Sequence, residues 1–403
     1  MPAQKTMLVR GVKPVRWLLL VLGLLNLIMA QADESSPAFA LSGFGTLGAT
    51  RTTTDEVRFV RDLAQPEGAG KRWDGRVDSM LGVQGNLKLN SQLEGVVQVV
   101  SRYRYDRSFT PEVSWAYLKY EPDPKLSLRA GRLGTEFFML ADSRMVGYSY
   151  LSVRPPGDYF WSLPFYSIDG ADAVLSLPLG ESILRAKVFY GISDERIALE
   201  NREWKLDGSP MTGGYLDLQN GPWLFRLSYA NIVFRNNLPF GSVLGNYLPA
   251  AMAQQSADYL ATANTRSHYY ALGAVYDSGP WQLHLMLNHI VQGSNAFQSS
   301  DGGYLQAGYR IGPVTPYFGY SWIRSDQRGN TLNPVVASIM ADGRADQSTT
   351  SLGARWDVVR NVALKAQWDH IDGEPESIFP YRRETKAWTG NMDVLSLTMD
   401  FVF

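Results

Sequence analysis

From residue 39 to the C terminus the chain repeats one pattern, in segments of about ten residues where apolar and polar side chains alternate. The last segment shows it most clearly. In residues 391–403, Leu395, Leu397, Met399, Phe401 and Phe403 fall on one face, and Ser396, Thr398 and Asp400 on the other. A period of two belongs to a β-strand with apolar surroundings on one side and water on the other. Sixteen such segments are predicted as strands: 39–50, 74–89, 92–105, 112–120, 125–134, 169–177, 182–193, 213–219, 222–234, 266–277, 280–292, 302–310, 314–325, 348–358, 361–372 and 391–403. In the second, Val77, Leu81, Val83, Leu87 and Leu89 oppose Arg76, Asp78, Gln84, Asn86 and Lys88.

The connections alternate in length. Asn90-Ser91, residues 121–125, residues 178–181, Asn220-Gly221, Ser278-Gly279, Gly312-Pro313 and Val359-Arg360 are short, and all but the last carry turn-forming Gly, Pro, Asn or Asp. Between them lie longer stretches, including 51–73, 135–168, 194–212, 235–265, 326–347 and 373–390. Short turns at one end and long loops at the other describe a membrane barrel rather than a soluble sandwich. The expected fold is all-β, a sixteen-stranded antiparallel transmembrane barrel over residues 33–403, with short periplasmic turns and long external loops.

The N terminus supplies an export signal. Lys5, Arg10, Lys13 and Arg16 precede the apolar stretch 17–29, and Ala30-Gln31-Ala32 has the small-x-small form of a cleavage site. That stretch is shorter than the about 20 residues a spanning helix needs, so residues 1–32 are expected to be a signal peptide. Removing its four basic residues leaves 39 acidic against 34 basic side chains, a balance that offers nothing to nucleic acid. After the leader no run of 18 apolar residues occurs, and only helices or closed barrels satisfy every backbone group in lipid. The chain has no Cys, which excludes disulfides and thiolate metal sites. Aromatic residues gather near predicted strand ends, as at Trp115, Tyr120, Trp223, Tyr229, Tyr276, Trp281, Tyr317, Trp322, Phe401 and Phe403, where interfacial girdles are expected.

Sixteen strands, a long third loop and a terminal Phe together resemble the Gram-negative porin superfamily over the whole mature chain. The resemblance implies an outer-membrane channel, a homotrimer, and a C-terminal strand ending at Phe403 that the barrel-assembly machinery reads. The Pro-Glu-Phe-Gly signature of general enterobacterial porins is missing, and Arg154-Pro-Pro-Gly-Asp-Tyr159 occupies the comparable region.

A barrel of this size leaves an aqueous lumen, so function depends on what narrows it. Residues 135–168 are the candidate inward-folded constriction, carrying Asp142, Arg144, Arg154 and Asp158, with Asp169 at its edge. Facing it, Arg76, Arg102, Arg104, Arg129, Arg185 and Lys187 fall on the polar faces of their strands, which lipid would penalise by about 2–4 kcal/mol at the midplane. Opposed charges of this kind filter permeants by sign and dipole. An aromatic slide for sugar-like solutes is the alternative, built from Tyr148, Tyr150, Tyr159 and Trp161. His268, His284, His289 and His370 are scattered, no nucleophile elbow occurs, and the glycines of residues 43–48 lie inside a strand. No cofactor, metal or catalytic residue is expected; a barrel-embedded surface hydrolase is the remote alternative. The expected function is passive diffusion of small hydrophilic solutes or ions, with an anion- or sugar-selective channel as the nearer alternative and outer-membrane lipid around the wall.

Overall fold

The computed structural model describes residues 38–161, 163–199, 202–239, 244–326, 332–377 and 381–403; the expected signal peptide, residues 1–32, lies outside them. The described strands are β1 (Ala38–Thr52), β2 (Met80–Lys88), β3 (Leu93–Arg102), β4 (Glu112–Asp123), β5 (Leu126–Gly134), β6 (Ser167–Leu179), β7 (Ser182–Ser193), β8 (Arg196–Leu199), β9 (Arg202–Lys205), β10 (Ser209–Asn220), β11 (Trp223–Val233), β12 (Arg266–Ser278), β13 (Trp281–Gln292), β14 (Ser300–Tyr309), β15 (Val314–Ser325), β16 (Asp346–Val359), β17 (Val362–Gly373) and β18 (Met392–Val402). Strands β8 and β9 form a separate two-stranded hairpin, and the other sixteen close into one antiparallel barrel. Each barrel strand pairs with its neighbours along the chain, and β1 meets β18 to close the ring. No helix among the described residues is long and apolar enough to cross a membrane.

Every sequence-predicted strand overlaps one barrel strand, with one substantial correction. β2 starts at Met80, so Arg76, Val77 and Asp78 do not lie on a strand face. Asp74 turns the backbone there by accepting the Arg76 N–H at 2.7 Å, and Val77 packs into an apolar cluster with Ile371, Met392 and Val394. Burying that side chain outweighs continuing the ladder. The hairpin β8–β9, inside the stretch 194–212, is not visible as alternation. The turn at Val359-Arg360 is completed by Asn361, whose φ of 67° lies in the left-handed region that Asn tolerates.

Alternation now acquires a direction. Leu47, Val97, Val188, Leu216, Leu227, Leu272 and Leu397 stand exposed on the outer wall, while Thr46, Gln98, Asp172, Lys187, Asp217, Asn288 and Lys365 are buried inside. This inversion of the soluble pattern is what lipid outside and water inside demand. Trp223, Trp281 and Tyr309 crowd the short-turn end of the outer wall, the first stacked on Phe225 and the other two edge to face. Tyr317 is a correction to the expected girdle: it points inward, is buried, and its hydroxyl donates to Gln367 at 2.7 Å.

Ring closure rests on paired small and large residues. Gly43 and Phe403 exchange backbone hydrogen bonds at 2.9 and 3.0 Å. A Cβ on Gly43 would lie 2.3 Å from the Phe403 ring, and one on Gly45 would lie 2.4 Å from the Phe401 ring. Glycine at both positions lets the C-terminal rings lie flat across β1. The largest apolar core is inside the barrel, where Phe137, Phe138, Tyr159 and Phe165 pack against Tyr269, Met286 and Tyr304 of the β12–β14 wall.

Candidate functional site

Three groups of contacts hold residues 135–168 to the inner wall. The first lies where the segment leaves β5. Arg129 and Asp172 face each other across the β5–β6 ladder and form a two-pronged pair, Nε to Oδ1 at 3.0 Å and Nη2 to Oδ2 at 2.6 Å. Glu136 joins them, accepting from Arg129 at 2.9 Å and from Lys187 at 2.7 Å, while Lys187 also lies 2.9 Å from Asp172. Arg226 pairs with Asp217 across β10 and β11 and donates to the Glu136 carbonyl at 2.8 Å. Burial opposes ionisation of Glu136, yet the charges of Lys187 and Arg129 outweigh it and hold the carboxyl down to about 2.

On the opposite wall the segment is locked to β1, β17, β18 and the residues before β2. Arg154 donates to both oxygens of Asp78, to Ser396 at 2.6 Å and to Thr50 at 3.1 Å, and lies 3.3 Å from Asp369. Lys365 donates to the carbonyls of Gly147 and Ser152 at 2.7 and 2.9 Å and pairs with Asp400 at 3.1 Å. The wall comes so close at Gly147 that a Cβ there would sit 2.1 Å from the Asp400 carboxylate. Arg154, Asp78, Lys365, Asp369 and Asp400 are all buried. Between these two anchorages, Asp158 accepts from Ser321 at 2.7 Å and Gln347 at 2.6 Å, in the short helix Gly157–Phe160.

The third group is an arginine sandwich. The guanidinium carbons of Arg102 and Arg144 stand 4.0 and 3.7 Å from the Tyr166 ring centre, and the Tyr166 hydroxyl donates to Asp62 at 2.5 Å. Burial first, and then the Asp62 charge, push the Tyr166 phenol up to about 12, so it stays a neutral donor. Arg102 is also 3.1 Å from Asp62, Arg104 pairs with Glu112, and Arg144 donates to the carbonyls of Leu163 and Phe165.

The structure therefore brings Arg129, Lys187, Arg154, Asp158, Arg102 and Arg144 into contact with residues 135–168 or its partners. Asp142 is exposed and accepts from the Ser143 N–H, and Arg185 is exposed on the Lys187 face nearer the short turn. Arg104 belongs to the residues after β3 and Arg76 to those before β2. Asp169 is a correction. It lies on the outer face of β6, opposite in parity to Asp172, and pairs with Arg132 at 2.7 Å. The aromatic slide is corrected too: Tyr150, Tyr159 and Trp161 are buried in protein and only Tyr148 stays partly open, under Arg355 at 4.5 Å. Sequence reading missed Asp172, Asp217, Arg226, Lys365 and Asp400. Parity alone marks all five as inward, but their partners sit on other strands.

Residues 240–393 match the model of the Gram-negative porin family. The chain has the porin-type barrel fold. No curated protein matches it. Among solved structures, the Salmonella typhi OmpF complex with daunomycin is 16% identical, with a TM-score of 0.59 over 92% of this chain and 99% of that one. An anion-selective porin from Comamonas acidovorans is 12% identical, with a TM-score of 0.56 over 91% of this chain and 100% of that one. The in-vitro folded OmpT of Vibrio cholerae, described in its trimer form, is 13% identical, with a TM-score of 0.55 over 91% and 100%. At these identities the likeness to solved structures speaks for the fold. Three of the four histidines, His268, His289 and His370, lie on the outer wall, bonded to Tyr229, Asp301 and Asp393 respectively.

Proposed function

We propose that the porin-type barrel conducts small hydrophilic solutes and ions across the outer membrane by passive diffusion, with residues 135–168 as its constriction. The observation that carries this is the crossing of the lumen by that segment, bonded to Arg129 and Lys187 at one wall and to Asp78 and Lys365 at the other. A barrel with a polar inner face is a water-filled path, and a segment fastened across it sets the size limit.

Charge selectivity is weak in this reading. Arg129 and Lys187 share Glu136 and Asp172, Arg226 has Asp217, Arg154 has Asp78 and Asp369, and Lys365 has Asp400. Paired charges leave a small net field, whereas a strongly anion-selective filter needs unpaired basic groups. The sugar-slide alternative loses support because Tyr150, Tyr159 and Trp161, three of its four rings, are buried.

Residues 1–32 serve as the signal peptide, the outer wall contacts lipid, and the strand ending at Phe403 is what the barrel-assembly machinery reads. The assembly is a homotrimer, a reading supported by the trimer form described for the Vibrio cholerae neighbour. Single-channel conductance with reversal potentials in a salt gradient tests the reading. The expected result is a stable conductance with a reversal potential near zero. Purified, heat-modifiable protein that gives no conductance would refute the channel.

A further inference from the structure

The connection between β1 and β2 and the connection between β17 and β18 meet at the long-loop end of the barrel. Arg58 and Arg382 exchange backbone hydrogen bonds at 2.7 and 3.1 Å, and Phe59 pairs with Ala69 within the first of these connections. This frame encloses a cavity of about 320 Å³ lined by Arg58, Arg72, Arg76, Arg383, Glu67 and Trp73, with Gly68, Gly70 and Asp74 completing it. The volume lies in the range that holds a small molecule.

Four arginines face two carboxylates in that lining. Glu67 alone serves three guanidinium groups, at 3.1 Å from Arg76, 2.7 Å from Arg383 and 3.5 Å from Arg107. Burial opposes its ionisation, and the hydrogen bond from Arg76 with the charges of Arg383 and Arg76 lowers its pKa nonetheless. Asp74 is taken by Arg76 at 2.6 Å, and Asp55 by Arg58 at 2.5 Å. Arg72 is exposed and has no ion pair or hydrogen bond among the described residues, and Arg383 keeps most of its side chain in water. Donors are thus in excess of acceptors, and Glu67 shows which group accepts from them.

The floor is shaped for the guanidinium of Arg58. A Cβ on Gly70 would fall 1.5 Å from Arg58 Nη1, so only glycine lets that side chain lie across the cavity. Trp73, half-exposed, borders the pocket with Arg51 over its ring at 5.7 Å, and the lining is otherwise polar. Planar guanidinium forks match the two oxygens of a carboxylate, the group that Glu67 already presents to them.

We propose that this pocket is a capture site for small organic carboxylates at the external mouth of the barrel. It gives the diffusion channel a preferred class of solute at its entrance, and in that sense rests on the channel reading. Capture at the mouth raises the local solute concentration without requiring a charged constriction.

The test uses full-length protein in detergent, checked as folded by heat-modifiable mobility, with benzoate as the probe and benzamide as its neutral isostere in calorimetric titration. Saturable binding of benzoate but not benzamide is expected. Arg72→Ala with Arg383→Ala should weaken benzoate at least about ten-fold, and Gly70→Ala should weaken it by displacing Arg58. Absent or unsaturable benzoate binding, equal binding of benzamide, or an unchanged affinity in the double variant would overturn the site. Inorganic phosphate displacing benzoate at lower concentration than acetate does would overturn the carboxylate assignment. Binding is read without current, so its failure leaves conduction untouched, and a silent channel that still binds benzoate would sink the channel reading alone.

Discussion

Arg154 and Asp78, 76 residues apart in sequence, form a buried two-pronged ion pair, Nε to Oδ1 at 2.9 Å and Nη2 to Oδ2 at 2.7 Å. The pair joins the middle of residues 135–168 to the chain just before β2. Removing Arg154 leaves Asp78 with only the longer contact to Arg61 at 3.5 Å and takes from buried Asp369 its cation, at a cost of about 3–5 kcal/mol. Arg154→Ala is therefore expected to lower the denaturant midpoint of the folded barrel and to raise single-channel conductance as the segment loosens. Arg154→Met with Asp78→Leu should recover only part of the midpoint, because Asp369 and Arg61 then lose their partners. An Arg154→Ala variant with both quantities unchanged would show that the pair is not a lock.

The Glu136 carboxyl titrates at about 2 in the folded protein, below its ordinary 4.5. A lowered folded value means that its ion pairs contribute fully above about 4.5 and are lost as pH falls from there through 2. Conductance should carry no Glu136-dependent step between pH 5 and pH 8. Below about pH 4.5 the wild-type current should change progressively, and Glu136→Gln, already neutral, should lack that component. Identical acid titrations of conductance in the two proteins would remove Glu136 as an anchor of the segment.

Asp172 and Asp169 are close in sequence and opposite in direction. Asp172 is buried inside between Arg129 and Lys187, whereas Asp169 faces outward to Arg132. Asp172→Asn should unbalance two inward cations and move the reversal potential toward anion preference. Asp169→Asn should leave it in place and cost at most about 1 kcal/mol, the scale of an exposed pair. Neutralising Arg129 together with Lys187 should move the potential the other way. Equal shifts for the two Asn variants would contradict the assignment of inner and outer faces.

Gly43 lies beneath the Phe403 ring and Gly45 beneath that of Phe401. Gly43→Leu should force the ring off β1, expose the terminal strand and slow the conversion to the heat-modifiable folded form, measured by refolding into detergent over time. Phe403→Ala in the same background should relieve part of the delay, because the clash partner is gone. Additive delays from the two changes would argue against direct packing.

Strand number, the two faces of each strand and the segregation of turn and loop lengths were all readable from the chain. Each reflects a local rule acting residue by residue, since lipid and water select opposite members of every adjacent pair. The same rule marks Asp172 as inward and Asp169 as outward, and reading Asp169 as pore-lining ignored it. Where alternation was extended past its end, at Arg76, the error came from the apolar burial of Val77, which ends the ladder.

What the chain alone determined is therefore a sixteen-stranded barrel with one apolar and one polar surface. Which charges meet was decided by closure of the ring and the course of residues 135–168. Arg154 reaches Asp78 and Ser396, and Lys365 reaches the Gly147 carbonyl, across separations of 76, 242 and 218 residues. Such pairings depend on which strands stand opposite one another across the lumen. A period of two tells each residue which way to face; only the closed barrel tells it what stands there.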